Sequence, residues 1–229
     1  MTGALGYPRL AASSGIAAVE MGGHRPDQAI AAARGIATVV EDAQFGIILD
    51  RDFRCSAEIS SIRSKLENFR FVTTLGRKEI ENYLLDPPIL DTAIQAAVAD
   101  RQQRGGKIKK SPASAADILM RATDPMRIDT QSQYVESWIE YERGIRSAKN
   151  ARTINREATE WFEGLWATIE GRVQIVPGKD ALRSINNLLQ DEVGIALSAG
   201  TIAETLTTRS VGNELKELLR TLDNFRSKD

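Results

Sequence analysis

The sequence has very few of the residues that form covalent or zinc cross-links. Its 229 residues include one cysteine, Cys55, and one histidine, His24. A single cysteine excludes an intramolecular disulfide framework and is typical of a reducing cytosol, so we expect a cytoplasmic protein. One cysteine and one histidine are also too few for a structural zinc site of the Cys/His type.

The sequence also lacks an excess of charge and a long apolar run. Thirty basic residues stand against thirty-one acidic residues. Bulk charge therefore indicates neither nucleic acid nor membrane, and any nucleic-acid surface must be a local patch. The apolar runs are far shorter than the roughly 20 residues of a membrane span, and no signal peptide is evident at the start. We expect no membrane partner.

The first 88 residues alternate strand-like and helix-like segments. Helices are predicted from Asp27 to about residue 43 and from Ser56 onward, where apolar residues recur at helical spacing. The middle strand has four apolar residues, Phe45, Ile47, Ile48 and Leu49, which predicts burial on both faces. This alternation with short connections predicts an α/β core built on a parallel sheet. Strands are predicted at 15–23, 45–50 and 69–75.

The rest of the chain changes character twice. Residues 89–170 predict a mostly helical insert that contains all three tryptophans, which we expect in its core. The segment 101–112 has two glycines, a proline and five basic residues, and this composition predicts a mobile surface loop. Residues 171–229 return to the first pattern and complete the core, with a strand at Val173–Val176 followed by a helix.

Two aspartates stand at the carboxyl end of the middle strand, in the stretch FGIILDRDFR. Asp50 and Asp52 are two residues apart, so along a strand both project to the same side and repel each other. Either Arg51 and Arg54 fold back as partners in a salt-bridged loop, or a metal ion lies between the acids. Ligands of open α/β sheets collect at this end of the strands, and carboxylates suit Mg²⁺ or Mn²⁺.

Two further turns carry candidate site residues. The stretch GRKEIENYLL follows the third predicted strand and contributes Glu79 and Glu81. These are either surface acids paired with neighbouring basic residues, or the source of a third carboxylate beside Asp50. The stretch PGKD places Lys179 at a strand-to-helix turn, either facing solvent or facing the acids. It is not a phosphate-binding P-loop, because the required glycine and hydroxyl residue are missing.

The order of these motifs resembles a Toprim domain, and most closely the Toprim region that follows the ABC-type ATPase domain in OLD-family nucleases of bacterial antiviral defence. IILDRDFR and EIENYLL carry the resemblance, PGKD supports it, and it spans about residues 15–225. It implies a Toprim-like, Rossmann-like parallel sheet flanked by helices. It also implies that Asp50, Asp52 and Glu81 bind Mg²⁺ or Mn²⁺, and that Lys179 acts with Asp50 in catalysis.

The implied activity is metal-dependent hydrolysis of DNA, with RNA as the alternative substrate. The implied partner is an ATPase domain or subunit, and a homo-oligomer stays open. The pattern's first strand, with its glutamate, is not recognised, because residues 15–23 align with the second strand. We therefore expect the C-terminal portion of a larger ATPase-nuclease. The residues expected to steer the nucleic-acid backbone are Arg51, Arg54, Arg104, Lys107, Lys109 and Lys110.

Two other functions are compatible with the same sequence motifs. A Toprim-like module without a complete acidic set would serve assembly or binding with an ATPase partner. A phosphatase of the haloacid-dehalogenase type would use Asp50 as a nucleophile, but that pattern wants Thr or Val where Arg54 stands.

Overall fold

The described part of the protein, in a computed structural model, comprises residues 26–40, 44–207 and 209–226. The strand predicted at 15–23 lies outside these ranges. Within them the chain is mostly helical and has one two-stranded parallel sheet, which is an α/β arrangement. No described helix is both long enough and apolar enough to cross a membrane.

The elements follow one another with short connections. The strands are β1 (Gly46–Leu49) and β2 (Phe71–Thr74), and 3₁₀-helices cover Ile80–Leu84 and Asp124–Met126. The α-helices are α1 (Pro26–Ala37), α2 (Ser56–Lys65), α3 (Pro87–Gln103), α4 (Ala115–Thr123), α5 (Arg127–Gly144), α6 (Ala151–Trp166), α7 (Ile169–Ile175), α8 (Gly178–Glu192), α9 (Ala199–Glu204) and α10 (Asn213–Arg226).

The unit β1–α2–β2 sets up the candidate site. The two strands pair in parallel, from Gly46 opposite Phe71 to Leu49 opposite Thr74. Helix α2 connects them, and Cys55 caps its amino end, where the cysteine sulfur accepts a hydrogen bond from the N–H of Glu58. The strands predicted at 45–50 and 69–75 are confirmed, and because the pair is parallel their carboxyl ends meet at one edge.

The prediction that β1 is buried on both faces is wrong for the described residues. Exposed and half-buried residues alternate along the strand, and Ile48 is 42% exposed. The prediction came from apolar side chains on both faces of β1, but the described helices cover only one of these faces. Helix α1 also ends at Ala37, earlier than predicted.

The strand predicted at Val173–Val176 is helix α7 instead. The hydroxyl of Thr168 accepts a hydrogen bond from the N–H of Gly171 and caps the helix. A side chain at Gly171 would overlap the carbonyl of Leu165, so only glycine allows this close approach to α6. The buried residues of α7 lie in the core, which shows that tertiary packing overrides the strand preference of valine and isoleucine.

One large hydrophobic core holds the helices together. Tyr134 and Phe162 are fully buried in it and Trp166 nearly so. Of the other two tryptophans predicted in this core, Trp161 is partly buried and packs against it, and Trp138 is partly buried and contacts Trp161. The prediction is therefore confirmed for Trp166 and only in part for the other two. The core continues through α7 and α8 into the last helices. The predicted insert at 89–170 and the returning segment at 171–229 therefore share one core.

The basic loop predicted at 101–112 is held against the end of α8. The N–H of Lys109 donates to the carbonyl of Val193, and its amine donates to the carbonyls of Gln190 and Asp191 at 3.1 and 3.3 Å. A cation at a helix carboxyl terminus is favourable because it meets the negative end of the helix dipole. Most residues of the segment are exposed, as predicted for a surface loop, and Lys109 bonds it to α8.

Candidate functional site

The predicted acids and the predicted lysine meet at the carboxyl edge of the parallel strands. Asp50 follows β1 directly, and Glu81 lies on the 3₁₀-helix that follows β2. Lys179 lies in the first turn of α8, with its amine 3.8 Å from the Glu81 carboxylate. The N–H of Asp52 donates to the carbonyl of Lys78 at 2.9 Å, which joins the β1 turn to the segment after β2.

Asp50 lies in an acidic environment. Burial raises the pKa of its carboxyl, and the charges of Asp52, Glu81 and Glu79 raise it further, in that order. The backbone N–H of Ile80 opposes the shift by donating to the carboxylate. Glu79 and Glu81 follow Asp50 by 29 and 31 positions in the chain, yet they are close enough in space to repel its carboxylate.

Asp52 has a different environment, because Arg54 folds back onto it. The Arg54 guanidinium donates to the Asp52 carboxylate at 3.0 Å and to the Asp50 carbonyl at 2.9 Å, and it lies 3.3 Å from Glu58. Asp52 itself has a φ of 51°, which is rare for a residue other than glycine. Of the two arrangements predicted for this turn, the structure has the salt-bridged one at Asp52.

The prediction that Arg54 steers a nucleic-acid backbone does not fit this position. Arg54 is only 5% exposed and its guanidinium is engaged by two carboxylates and a carbonyl. It acts as the internal cation of the turn. The Arg51 guanidinium lies 5.7 Å from the centre of the Trp161 ring, so the aromatic core supports that side chain.

Glu81 and Lys179 face each other at the opening of the site. One carboxylate oxygen of Glu81, Oε2, is buried and has no hydrogen-bond partner among the described residues. The other, Oε1, is the oxygen that faces the Lys179 amine. The Lys179 side chain is 69% exposed, so this ion pair is solvated and contributes little to stability. The amine is accessible to a bound molecule.

Glu79 and Lys78 are a further acid and base of the turn after β2, and the burial of Lys78 is the feature that the sequence patterns missed. They pair with each other as neighbouring acid and base, but the pair is not at the solvated surface. Lys78 is 4% exposed, and its amine lies 4.2 Å from the centre of the Phe53 ring. Glu79 also accepts a hydrogen bond from the Lys179 N–H at 3.1 Å. No spacing rule signals a buried lysine, because its burial depends on Phe53 packing against it.

The fit of a divalent cation can be judged from these contacts. The described residues contain no group of three or more acidic, histidine or cysteine side chains placed to hold a metal. Mg²⁺ is commonly bound by one or two carboxylates, with waters and substrate phosphates filling the other positions. Asp50, with its raised pKa, and Glu81, with its unpartnered oxygen, fit that kind of site.

The basic residues of the 101–112 loop lie away from this edge. The loop is bonded to the carboxyl end of α8, whereas Lys179 lies at its amino end. A 15-residue helix is about 22 Å long. Lys107 and Lys110 are exposed there, Arg104 pairs with Asp100, and Lys109 caps the helix. Lys107 and Lys110 therefore stay predicted contacts for a long substrate, about 20 Å from the acids, whereas Arg104 and Lys109 are engaged within the protein.

Asp50→Asn is expected to stabilise the metal-free fold at neutral pH. The folded protein binds the Asp50 proton more tightly than the unfolded chain, so the wild type loses stability as pH rises from about 4 through the raised pKa. Asparagine removes that loss, so the variant should have a higher Tm than wild type at pH 7. The difference should vanish below about pH 4, where both states of the wild type are protonated.

Thermal unfolding with a chelator, followed from pH 3 to 8, measures this effect. Asp100→Asn is the matched control, because Asp100 is exposed and pairs only across a helix surface with Arg104. An Asp50→Asn protein that is less stable than wild type at pH 7 would contradict the repulsion assigned to this cluster.

Comparison with models of protein families finds no match to this chain, and comparisons with curated proteins and with solved structures also find none. The function is therefore inferred from the chemistry of the cluster itself.

Proposed function

We propose that this chain hydrolyses phosphodiester bonds in nucleic acid, with Mg²⁺ or Mn²⁺ bound by Asp50 and Glu81. The observation that supports this most is the convergence of three chain segments at one edge. Asp50 comes from the end of β1, Glu81 from the 3₁₀-helix after the neighbouring strand β2, and Lys179 from the start of α8. The unpartnered Glu81 oxygen leaves a position that a cation would satisfy.

Each side chain has a distinct role in this proposal. A bound divalent cation supplies Lewis-acid stabilisation of a phosphoryl oxygen and a water of lowered pKa. Asp50 and Glu81 bind through their carboxylate oxygens. The Lys179 amine, which is exposed and already faces Glu81, stabilises negative charge that develops on the phosphoryl group. Asp52 keeps the turn in place through Arg54, and it is a ligand only if that salt bridge opens.

The proposal includes the wider resemblance to Toprim domains of OLD-family nucleases. The parallel pair with D-x-D after one strand and EIENYLL after the next supports it. On this basis the substrate is DNA, with RNA as the alternative, and the partner is an ATPase that acts with the chain in antiviral defence. The predicted phosphate contacts of Arg51, Lys107 and Lys110 belong to the same proposal.

A metal-binding measurement combined with a cleavage assay tests this function. Mn²⁺ binding is followed by electron paramagnetic resonance, and cleavage is followed on supercoiled plasmid and on labelled RNA with Mg²⁺, Mn²⁺ or a chelator. We expect Mn²⁺ binding that is lost in Asp50→Asn and Glu81→Gln, and cleavage that the chelator abolishes. Glu160→Gln, on the exposed surface of α6, is the control and should change neither. Absence of both binding and cleavage would overturn the proposal.

A second candidate is a binding or assembly module that works with an ATPase and performs no chemistry. The observation that favours it is the engagement of Asp52 by Arg54, which removes one carboxylate from the predicted trio. The described residues accordingly hold no three-residue metal group. This candidate predicts no specific Mn²⁺ binding, and an Asp50→Ala protein that keeps its biological effect.

A further inference from the structure

The side-chain amide of Asn82 lies where the 3₁₀-helix that carries Glu81 meets the start of α8. Asn82 is fully buried. Its nitrogen donates to the carbonyls of Val173 and Val176 at 2.9 and 2.8 Å, and its oxygen accepts from the N–H of Glu79 at 3.0 Å. Both donor hydrogens and the acceptor are thus used, which fixes the orientation of the amide. The residue ties the turn after β2 to the end of α7.

Helix α8 begins directly against this amide. A side chain at Gly178, the first residue of α8, would place its Cβ 2.5 Å from the Asn82 Oδ1 and 3.0 Å from the Asn82 backbone nitrogen. The residue before the helix is Pro177, which provides no side-chain cap. The Glu79 carboxylate takes that place and accepts the hydrogen bond from the Lys179 N–H. The start of α8 is therefore located by the segment Glu79–Asn82.

We infer that Asn82 is a positioning residue that sets the start of α8 so that the Lys179 amine faces Glu81. Asn82 acts through its bonds to the Val173 and Val176 carbonyls and through the glycine contact, and it does not touch the reacting atoms. The catalytic consequence rests on the proposed function. The positioning of Lys179 by Asn82 is independent of the proposed function, because it can be measured without any substrate.

Amide hydrogen exchange tests the placement alone. The Lys179 N–H is protected by one contact, the bond to Glu79, whereas the Leu189 N–H lies ten residues further along the same helix. In Asn82→Ala we expect exchange at Lys179 to become at least about tenfold faster, with exchange at Leu189 unchanged. Equal acceleration at both amides would mean a general loss of stability and would overturn the inference, as would no change at Lys179.

A kinetic double-mutant cycle tests the consequence for catalysis. Asn82→Ala should lower kcat by about tenfold to a hundredfold with little change in KM, because a displaced amine weakens transition-state stabilisation. In a Lys179→Ala background the same change should have no further effect on kcat. An equal loss in both backgrounds would overturn the inference. Absence of cleavage by the wild type would instead overturn the proposed function, and the exchange data would then decide the placement.

Gly178→Ala provides a second variant if Asn82→Ala does not fold. It disturbs the same junction from the α8 side, so we expect the same pattern of faster exchange at Lys179 and lower kcat. Gly164→Ala is its control, because Gly164 lies within α6 and an added Cβ meets nothing within 4 Å. A Gly178→Ala protein with wild-type exchange at Lys179 and wild-type kcat would contradict the inference that the contact between Gly178 and Asn82 positions Lys179.

Discussion

Lys179→Ala is expected to lower the rate of metal-dependent cleavage by about 10²–10³-fold, the usual loss for a group that stabilises transition-state charge. Its affinity for Mn²⁺ should stay within a few fold of wild type, because the amine is not a ligand and is exposed beside Glu81. Single-turnover cleavage with saturating Mn²⁺ gives the rate, and paramagnetic resonance gives the affinity.

Comparison with Asp50→Asn separates metal binding from stabilisation of transition-state charge. Asp50→Asn should lose both Mn²⁺ binding and cleavage, since it removes a ligand and not only a charge at the transition state. Lys65→Ala, at the exposed end of α2, is the matched lysine control and should keep full activity. Wild-type rates in Lys179→Ala would show that the lysine is only a surface side chain, and equal losses of metal affinity in both variants would assign it a binding role.

The site could be predicted from the sequence to the extent that it depends on strand ends. Asp50 directly follows β1, Glu81 lies on the 3₁₀-helix after β2, and parallel strands bring such residues together whatever the rest of the fold does. The sequence predicts that Lys179 can face the acids, and its amine does lie beside Glu81. The strand predicted before Lys179 is wrong, however, because that segment is helix α7. The turn at Pro177–Gly178 and the helix after it were the informative signals.

The remaining features depend on contacts that no local pattern encodes. Val173 and Ile175 read as strand residues because a short apolar run fits a strand and a buried helix equally well. Gly171, which must lie against α6, decides between them. The burial of Lys78 and Asn82 likewise depends on Phe53 and on α7, which are distant in the chain. Tertiary contacts of this kind determine which acids are left for a metal.

Arg54→Ala is expected to have the largest effect on stability, a loss of about 3–5 kcal/mol, as for other buried ion pairs that lose one partner. Arg54 is buried, and it joins the Asp50 carbonyl, the Asp52 carboxylate and the Glu58 carboxylate. Without it, Asp52 keeps its charge beside Asp50 and loses its guanidinium partner. Equilibrium unfolding in urea at pH 7 measures the change.

Arg183→Ala is the control for Arg54→Ala, because Arg183 pairs with Asp180 on the exposed surface of α8 and should contribute less than about 1 kcal/mol. The loss in Arg54→Ala should shrink as pH falls below about 4, where the carboxyls become protonated. Mn²⁺ should restore more stability to Arg54→Ala than it adds to wild type, because the cation then replaces the positive charge that Arg54 supplies beside Asp52. A loss below 1 kcal/mol, or no extra gain with Mn²⁺, would mean that Arg54 does not hold the charge balance of this turn.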